Sequence, residues 1–373
     1  MKVLHLTSSF PRWEGDHQAP YLAELVAAQT RAGISPSVLA PHAPGLPEDD
    51  VIGAPVHRFR YAPEGLQVLA YQGGLMRTAT TPVGAAALPG FLAAFAAAAG
   101  RAARRQRVDL VHAHWWLPAG AAGVVAARAA GVPLVVTCHG SDVHLAGRPR
   151  LRPVARAVLR RAALVAAVSD ALASEVAGVT GGAVEVLRMP VVPDPAPPAA
   201  LPPHPPLRLF ACGRLMPEKG FDVAISAVNR LAADGFAVRL VLMGDGPLEA
   251  PLRALASASG AVELVGAGGR PDLVRRIDEA HALVVPSRRE GLGLIAVDAL
   301  ARGRPVVASA VGGLVETVGD DGVLVPPDDP DALAAALRRL PLPAVTAAAA
   351  VAAHDPAAVA EAHAAAYRRV LGR

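Results

Sequence analysis

The chain has 373 residues and a mass of 38.1 kDa, more than one ordinary domain holds. Its 53% apolar and 18% charged residues exclude a mainly disordered protein, and 4% aromatics argue against a base-stacking surface for single-stranded nucleic acid. The net charge of +4 is unevenly spread: residues 1–192 carry 18 Lys and Arg against 12 Asp and Glu, residues 193–373 carry 18 against 20, and a basic first half suits an anionic partner.

Short runs rich in Val and Leu alternate with helical patterns from the first residues onward. In the first half strands are predicted at 2–7, 36–40, 56–60, 109–113, 133–137, 164–168 and 184–187. Helices fit 18–32, 90–106, 119–130, 150–162 and 170–177. A proline-rich run from Pro193 to Pro206 cannot continue either element and reads as a semi-rigid linker. The alternation then restarts, with strands at 207–212, 238–243, 262–265, 282–285, 305–309 and 323–325. The helices between and after them fit 217–232, 247–258, 271–279, 292–302, 330–340 and 356–371. The pattern predicts two doubly wound α/β lobes, 1–192 and 207–355, joined by 193–206, with ligands at the carboxyl ends of the strands.

Four segments of the second lobe carry chemistry. Gly213-Arg214-Leu-Met-Pro217-Glu-Lys219-Gly220 follows a strand, and it places two cations at a predicted helix entrance where the helix dipole also favours anions. That is a diphosphate site; the plainer alternative is an Arg and a Lys at a surface turn. In Glu290-Gly291-Leu292-Gly293-Leu294, a loop delivers a carboxylate as a helix begins, and Asp298 lies eight residues on, so both carboxylates can share a face and bind sugar hydroxyls. Glu290 also suits a helix start without any ligand. Gly244-Asp-Gly-Pro247 and Val311-Gly-Gly313 end two further strands, and glycines at successive strand ends suggest close backbone approach to one ligand.

In the first lobe Thr137-Cys-His139-Gly140 ends a strand, with His112, His114 and His144 nearby in sequence. Their spacing matches no usual zinc pattern, and Cys138 and Cys212 lie far apart beside apolar runs, so we expect buried thiols in a reducing compartment and no metal. Acidic pairs at 49–50, 320–321 and 328–329 read as loops or helix starts. No targeting segment is apparent, and the apolar stretch Ala79 to Gly100 is mostly alanine interrupted by prolines, a poor membrane span; the expected location is cytoplasmic. Six arginines between 148 and 161 lie on a basic amphipathic helix. Peripheral contact with an anionic membrane, on the inner face, is weighed there against an ordinary surface helix.

Taken together these motifs resemble the family 4 glycosyltransferases, retaining enzymes with the GT-B fold, over essentially the whole chain. The resemblance is carried by Ser9-Phe-Pro-Arg-Trp-Glu-Gly15, Val111-His-Ala-His-Trp115, Thr137-Cys-His-Gly140 and the four second-lobe segments, in order and spacing. It implies two Rossmann-like lobes facing a cleft, and a last helix, 356–373, that crosses back onto the first lobe. It implies a hexosyltransferase acting in glycan biosynthesis, which moves a sugar from a nucleotide-diphosphate sugar to a glycan, glycolipid or small-molecule acceptor. No cofactor or metal is implied. Arg214 and Lys219 would hold the diphosphate, Glu290 the donor sugar, Asp298 the ribose, and His139 would lie near the reacting end of the sugar. Gly15, Gly213, Gly244, Gly291, Leu292, Gly293 and Leu294 would line the donor. The family has Glu where this chain has Asp298, often Phe where it has Leu292, and a second glycine where it has Asp16. A nucleotide-sugar epimerase of the same architecture and a catalytically inactive sugar-nucleotide-binding protein are the alternatives. No G-X-G-X-X-G follows the first strand, which weighs against a nicotinamide dehydrogenase.

Overall fold

The computed structural model describes residues 1–16, 18–47, 49–71, 75–340 and 348–373. The chain divides into two units, Met1–Pro190 with Asp355–Arg373, and Val191–His354.

The first unit holds β1 (Lys2–Leu6), β2 (Ser35–Pro41), β3 (Asp49–Val51), β4 (Pro55–Phe59), β5 (Leu110–His114), β6 (Leu134–Cys138), β7 (Leu164–Ala167) and β8 (Glu185–Val186). They lie in the order β3-β4-β2-β1-β5-β6-β7-β8, parallel except for the β3–β4 pair. β3 was not expected: Asp49, Asp50 and Val51 have no buried face, and only antiparallel pairing with β4 makes them a strand. Past Lys2, β1, β5 and β6 are buried on both faces because helices cover both sides of the sheet, and the polar side chains they carry, His5, His112, His114 and Thr137, are buried with them.

The longest helix, Pro82–Gln106, starts where Thr81 accepts a hydrogen bond from the Gly84 amide and Pro82 occupies the first turn. It begins eight residues before the expected start at 90 and runs through Pro89. Length and composition would let it cross a membrane. Its Phe91 and Phe95 are fully buried, however, Phe95 stacked on Phe59 at 4.5 Å and Phe91 edge-on to Tyr61 at 4.8 Å, and each buried ring contributes about 2–3 kcal/mol. The helix Pro356–Leu371 packs against Pro20–Arg31 in this unit and drives Tyr367, with no exposed surface, into the core beside Val3, Leu110 and Val135.

The basic helix expected over 150–162 is Arg152–Leu159, and a separate short helix, Ser141–Ala146, precedes it. Its Val158 and Leu159 are buried in the unit. Arg152 and Arg156 donate to the carbonyls of Gly178 and Val179 at the end of helix Asp170–Thr180. Part of the apolar side of the basic helix is therefore core, and outward it offers its arginines together with Val154, which is exposed.

The second unit is a parallel sheet of β9 (Leu207–Cys212), β10 (Val238–Met243), β11 (Val262–Leu264), β12 (Ala282–Val285), β13 (Val306–Ser309) and β14 (Gly322–Val325), ordered β11-β10-β9-β12-β13-β14. The order reverses direction beside β9, where a doubly wound sheet opens its ligand crevice. The proline-rich run is not free chain. Buried Arg302 and Arg304 donate to the carbonyls of Ala196, Pro197, Ala199 and Ala200, so proline-rich backbone with few donors of its own is held by guanidinium groups.

Candidate functional site

Two loops at the carboxyl ends of β9 and β12 meet in the second unit. After β9, Gly213 turns the chain, Arg214 is exposed with no partner among the described residues, and Leu215 is buried. Pro217–Lys219 is a single 3-10 turn and Gly220, at φ +62, ends it, so the helix expected from 217 begins instead at Phe221. The cations therefore sit on the loop ahead of the helix.

After β12, Arg288 ties the second loop to the first. Its backbone N–H donates to Glu218 O at 2.8 Å, and its guanidinium reaches Pro217 O at 2.7 Å, Asp222 at 2.9 and 2.7 Å, and Asp328 at 2.5 Å. Hydrogen bonds from Arg288 hold the Asp222 carboxyl below its ordinary range. This clamp fixes Lys219 beside Glu290: the ammonium donates to Glu290 Oε2 at 2.6 Å, and Ser287 Oγ donates to the same oxygen at 3.2 Å. An ammonium has three protons, so this one contact leaves two for an anion.

The helical spacing rule does not apply to Glu290 and Asp298. Glu290 lies in the loop, whereas Asp298 lies in helix Leu294–Ala301, and the two have different cationic partners. Asp298 is buried, with Oδ1 2.7 Å from the Arg270 guanidinium. Burial raises its pKa above the ordinary value and Arg270 pulls it back. Arg270 also donates to Val192 O at 2.7 Å, and both side chains line a recess of about 40 Å³ with Pro193, Asp194 and Pro198.

The glycine expectation needs correcting. A Cβ on Gly244 would stand 1.9 Å from Gly213 O, and one on Gly312 would stand 2.1 Å from Glu290 O, both at positive φ. These strand ends need glycine because backbone meets backbone, which brings the Gly213, Gly244 and Glu290 loops together without any ligand. Leu292 is likewise core: its side chain is buried and its carbonyl accepts from Thr317 Oγ1 at 2.7 Å, leaving its N–H as its means of reaching a donor. Gly293, at φ +79, caps the helix that Leu294 starts, and Gly291 precedes it on the loop. Cys212 is free and burial pushes its thiol up to about 12, so it is inert.

In the first unit Gly15 sits at φ +86 in an exposed loop with open space around its α-carbon. The neighbouring Asp16, where the family has glycine, is buried and closes the loop: its carboxylate takes the Arg12 N–H at 2.9 Å and the guanidinium at 2.8 and 3.0 Å, and Arg12 lies 4.3 Å over Trp13.

His139 follows β6. Asp142 Oδ1 accepts the His139 and Gly140 N–H groups at 2.9 and 3.0 Å, which fixes the turn. Tyr21, Trp115 and His114 enclose the imidazole, with ring centroids 4.8–5.6 Å away. Trp115 holds φ +70, a region that costs a side-chain-bearing residue strain and that recurs at functional sites. Burial lowers the His139 pKa to about 3, so the ring is neutral.

His5, His112 and His114 bring ring nitrogens within 4.8 Å of one another, close enough for a metal. Each of those nitrogens already has a hydrogen-bond partner: Gln29, Tyr367, Thr137, His139 or one another. The cluster is thus a hydrogen-bonded chain. The expectation of a metal-free site also passed over one Asp-X-Asp sequence, Asp329-Pro330-Asp331. There Asp329 caps the helix Pro330–Leu337 by accepting from Ala332 N at 2.8 Å, and Asp331 pairs with Arg230, so both carboxylates have structural partners.

A family profile described as Glycosyltransferase Family 4 matches residues 18–195, and one described as Glycosyl transferases group 1 matches 206–341. The 2-deoxystreptamine glucosyltransferase of Streptomyces kanamyceticus is 31% identical, the alignment covering 78% of this chain and 80% of that protein. A D-inositol 3-phosphate glycosyltransferase of Nocardioides sp. is 34% identical, with 74% and 69% covered. The chain belongs to the family 4 glycosyltransferases. Among solved structures, sucrose-phosphate synthase from Thermosynechococcus elongatus superposes with a TM-score of 0.80 at 23% identity, covering 100% of this glycosyltransferase and 99% of that chain. Anabaena Alr3699/HepE in complex with UDP-glucose gives 0.72 at 20% identity, covering 99% and 100%. The fold of this glycosyltransferase is GT-B, two Rossmann-like α/β sheets, and the relatives are transferases, which does not favour the epimerase alternative.

Sequence reasoning missed Asp142, Arg270 and Arg288 in this glycosyltransferase. Asp142 lies two residues past the Thr137–Gly140 motif, and its place three residues after His139 was the usable signal. Arg270 and Arg288 had none, because their partners are 28 and 66 residues away in sequence, at Asp298 and Asp222.

Proposed function

We propose that this glycosyltransferase takes its sugar from a nucleotide-diphosphate sugar and passes it, with retention at the anomeric carbon, to a hydroxyl of a glycan, glycolipid or small molecule. The observation that carries the reading is the pair of cations on one rigid loop, Arg214 exposed and Lys219 pinned by Glu290 with protons to spare. Departure of a nucleotide diphosphate builds negative charge on its oxygens. Arg214, Lys219 and the first-turn amides of helix Leu294–Ala301 stabilise that charge, and no metal takes part.

Glu290 shares its carboxylate between Lys219 and the hydroxyls of the donor sugar, which ties the sugar's position to that of its leaving group. Asp298 holds the ribose, with the Arg270 guanidinium countering in part the effect of burial on its carboxyl. Neutral His139 meets the reacting end of the sugar, and the Gly15 loop lies by the phosphates and the acceptor. Attack comes from the face the leaving group departs from, and no protein side chain forms a covalent intermediate.

Thermal stabilisation by UDP-, GDP- and ADP-sugars tests the donor, because a bound ligand raises apparent stability by mass action. UDP-glucose, the ligand of HepE, heads the panel. 2-Deoxystreptamine and D-inositol 3-phosphate, taken from the relatives' names, are the first acceptors to test. Transfer that needs an acceptor and keeps the donor's anomeric configuration supports the reading. An inverted product overturns retention, and an epimerised donor formed without acceptor overturns transfer.

A further inference from the structure

A continuous line of hydrogen bonds runs from His139 into the core of the first unit. His139 Nε2 meets His114 Nδ1 at 3.0 Å, His114 Nε2 meets His5 Nδ1 at 3.0 Å, and His5 Nε2 meets Gln29 Oε1 at 2.8 Å. Gln29 Nε2 donates to the Tyr367 hydroxyl at 3.0 Å, that hydroxyl meets His112 Nδ1 at 2.7 Å, and His112 Nε2 meets Thr137 Oγ1 at 2.8 Å. His5, Gln29, His112, His114, Thr137 and Tyr367 are all buried.

The order of donors along this line is determined from one end. A neutral imidazole carries one N–H and one bare nitrogen. Gln29 Oε1 can only accept, so His5 Nε2 carries the proton and His5 Nδ1 is bare. His5 Nδ1 then accepts from His114 Nε2–H, and bare His114 Nδ1 accepts from His139 Nε2–H. At the far end of the line His139 Nδ1 is left bare, and no described residue bonds to it. On the other side of Gln29 the same rule is obeyed: Tyr367 accepts from the amide, donates to His112 Nδ1, and leaves His112 Nε2–H to donate to Thr137. Turning the Gln29 amide over would reverse every bond in the line and put a proton on His139 Nδ1.

We propose that Gln29, anchored by Tyr367 of the C-terminal helix, acts through His5 and His114 as a positioning residue that fixes the tautomer of His139, so that His139 meets substrate with a bare Nδ1 that accepts from a sugar hydroxyl. This rests on the placement of His139 beside the reacting sugar. It explains why a histidine line spends buried space from the strand end to the last helix, and it assigns that helix a role in the site beyond packing. His363, whose Nε2 is buried without a partner, flanks His112 at a 6.1 Å ring separation and is outside the line.

The test is ¹⁵N NMR of histidine-labelled protein, with the His139 signals assigned by comparison with His139→Gln. His5, His114 and His139 should all be in the Nε2–H form. Gln29→Leu and, with less change of volume, Tyr367→Phe should convert His139 to a mixture of tautomers. Turnover with UDP-glucose, or with the nucleotide sugar that binds best in its place, should fall about tenfold in those variants, the worth of one neutral hydrogen bond at the reacting sugar. A wild-type His139 in the Nδ1–H form, or the three rings in mixed forms, overturns the proposal even if neither variant folds. So does an unchanged His139 tautomer in folded Gln29→Leu. Near wild-type turnover in His139→Ala would instead remove His139 from the reaction and leave the tautomer measurement standing.

Discussion

The Lys219 ammonium lies 2.6 Å from the Glu290 carboxylate across 71 residues of sequence, and Arg288 clamps the two loops that carry them. Ahead of any substrate, the cation proposed to meet the leaving group and the carboxylate proposed to meet the sugar are already one unit. Losing a charge-assisted contact to a developing oxyanion costs about 2–4 kcal/mol in the barrier. Lys219→Ala should therefore cut turnover at saturating donor by about 30- to 900-fold. The pair is partly open to solvent and worth less than about 1 kcal/mol to folding, so the melting temperature should barely change. Near wild-type turnover would remove Lys219 from the reaction.

The proposed chemistry needs no metal, since the charge is met by Arg214, Lys219 and helix-end amides. Turnover measured after exhaustive chelation should match the untreated enzyme. Loss of activity that magnesium or manganese restores would refute that part of the mechanism and direct attention back to Asp329 and Asp331.

Asp298 should weaken the fold it serves. Burial raises its pKa, so the folded state prefers the protonated carboxyl and stability falls as pH rises from the ordinary carboxylate range through the raised value. Asp298→Asn should melt at the same or a higher temperature than wild type at pH 7, and the advantage should vanish near pH 3. Its affinity for the nucleotide sugar should drop. A variant that binds donor as wild type does would take Asp298 out of the ribose site.

Acid should unfold the first unit early. His5, His139 and His363 are held near 4, 3 and 4, and His112 and His114 well below their ordinary value, all chiefly by burial. The unfolded chain takes up these protons near pH 6.5 and the folded chain does not. Stability is thus complete above pH 6.5 and is lost as pH falls toward 4, by on the order of 1 kcal/mol per pH unit for each histidine. Circular dichroism between pH 7 and 4 should show loss of structure well before the carboxylates protonate. A fold unchanged at pH 4.5 would contradict this.

The segment 148–161 has chiefly the charge of its arginines to offer, since Val158 and Leu159 are committed to the core and Val154 is the one large apolar side chain that helix leaves exposed. Contact with anionic vesicles should therefore be mainly electrostatic: present at low salt and lost at about 0.15 M, where screening acts over about 8 Å. Binding that survives moderate salt would mean that an apolar surface inserts.

Much of the architecture was open to reading in the residues alone. Buried parallel strands such as Leu134–Cys138 and Val306–Ser309 are continuous apolar runs, and helices such as Phe221–Ala233 carry their periodicity locally, so both show without knowledge of neighbours. Glu290, Lys219 and His139 were visible as motif residues because a loop at a strand end has a local signature. Their partners did not show. Asp222 for Arg288, Arg270 for Asp298 and Gln29 for His5 come from distant parts of the chain, and a side-chain contact between distant segments leaves no mark in spacing. The glycines misled for the same reason: Gly244 and Gly312 are glycines whether ligand or backbone fills the space beside them, and only the folded chain places Gly213 O and Glu290 O there. In sequence His112 and His114 stand with His139 and His144 as a set whose spacing fits no zinc pattern, and His5 carries no signal at all. The sheet register, which sets His5 directly across from His112, and the last helix, which delivers Tyr367, make His5, His112 and His114 a line of hydrogen bonds, because a buried ring nitrogen must find a partner wherever the tertiary structure supplies one.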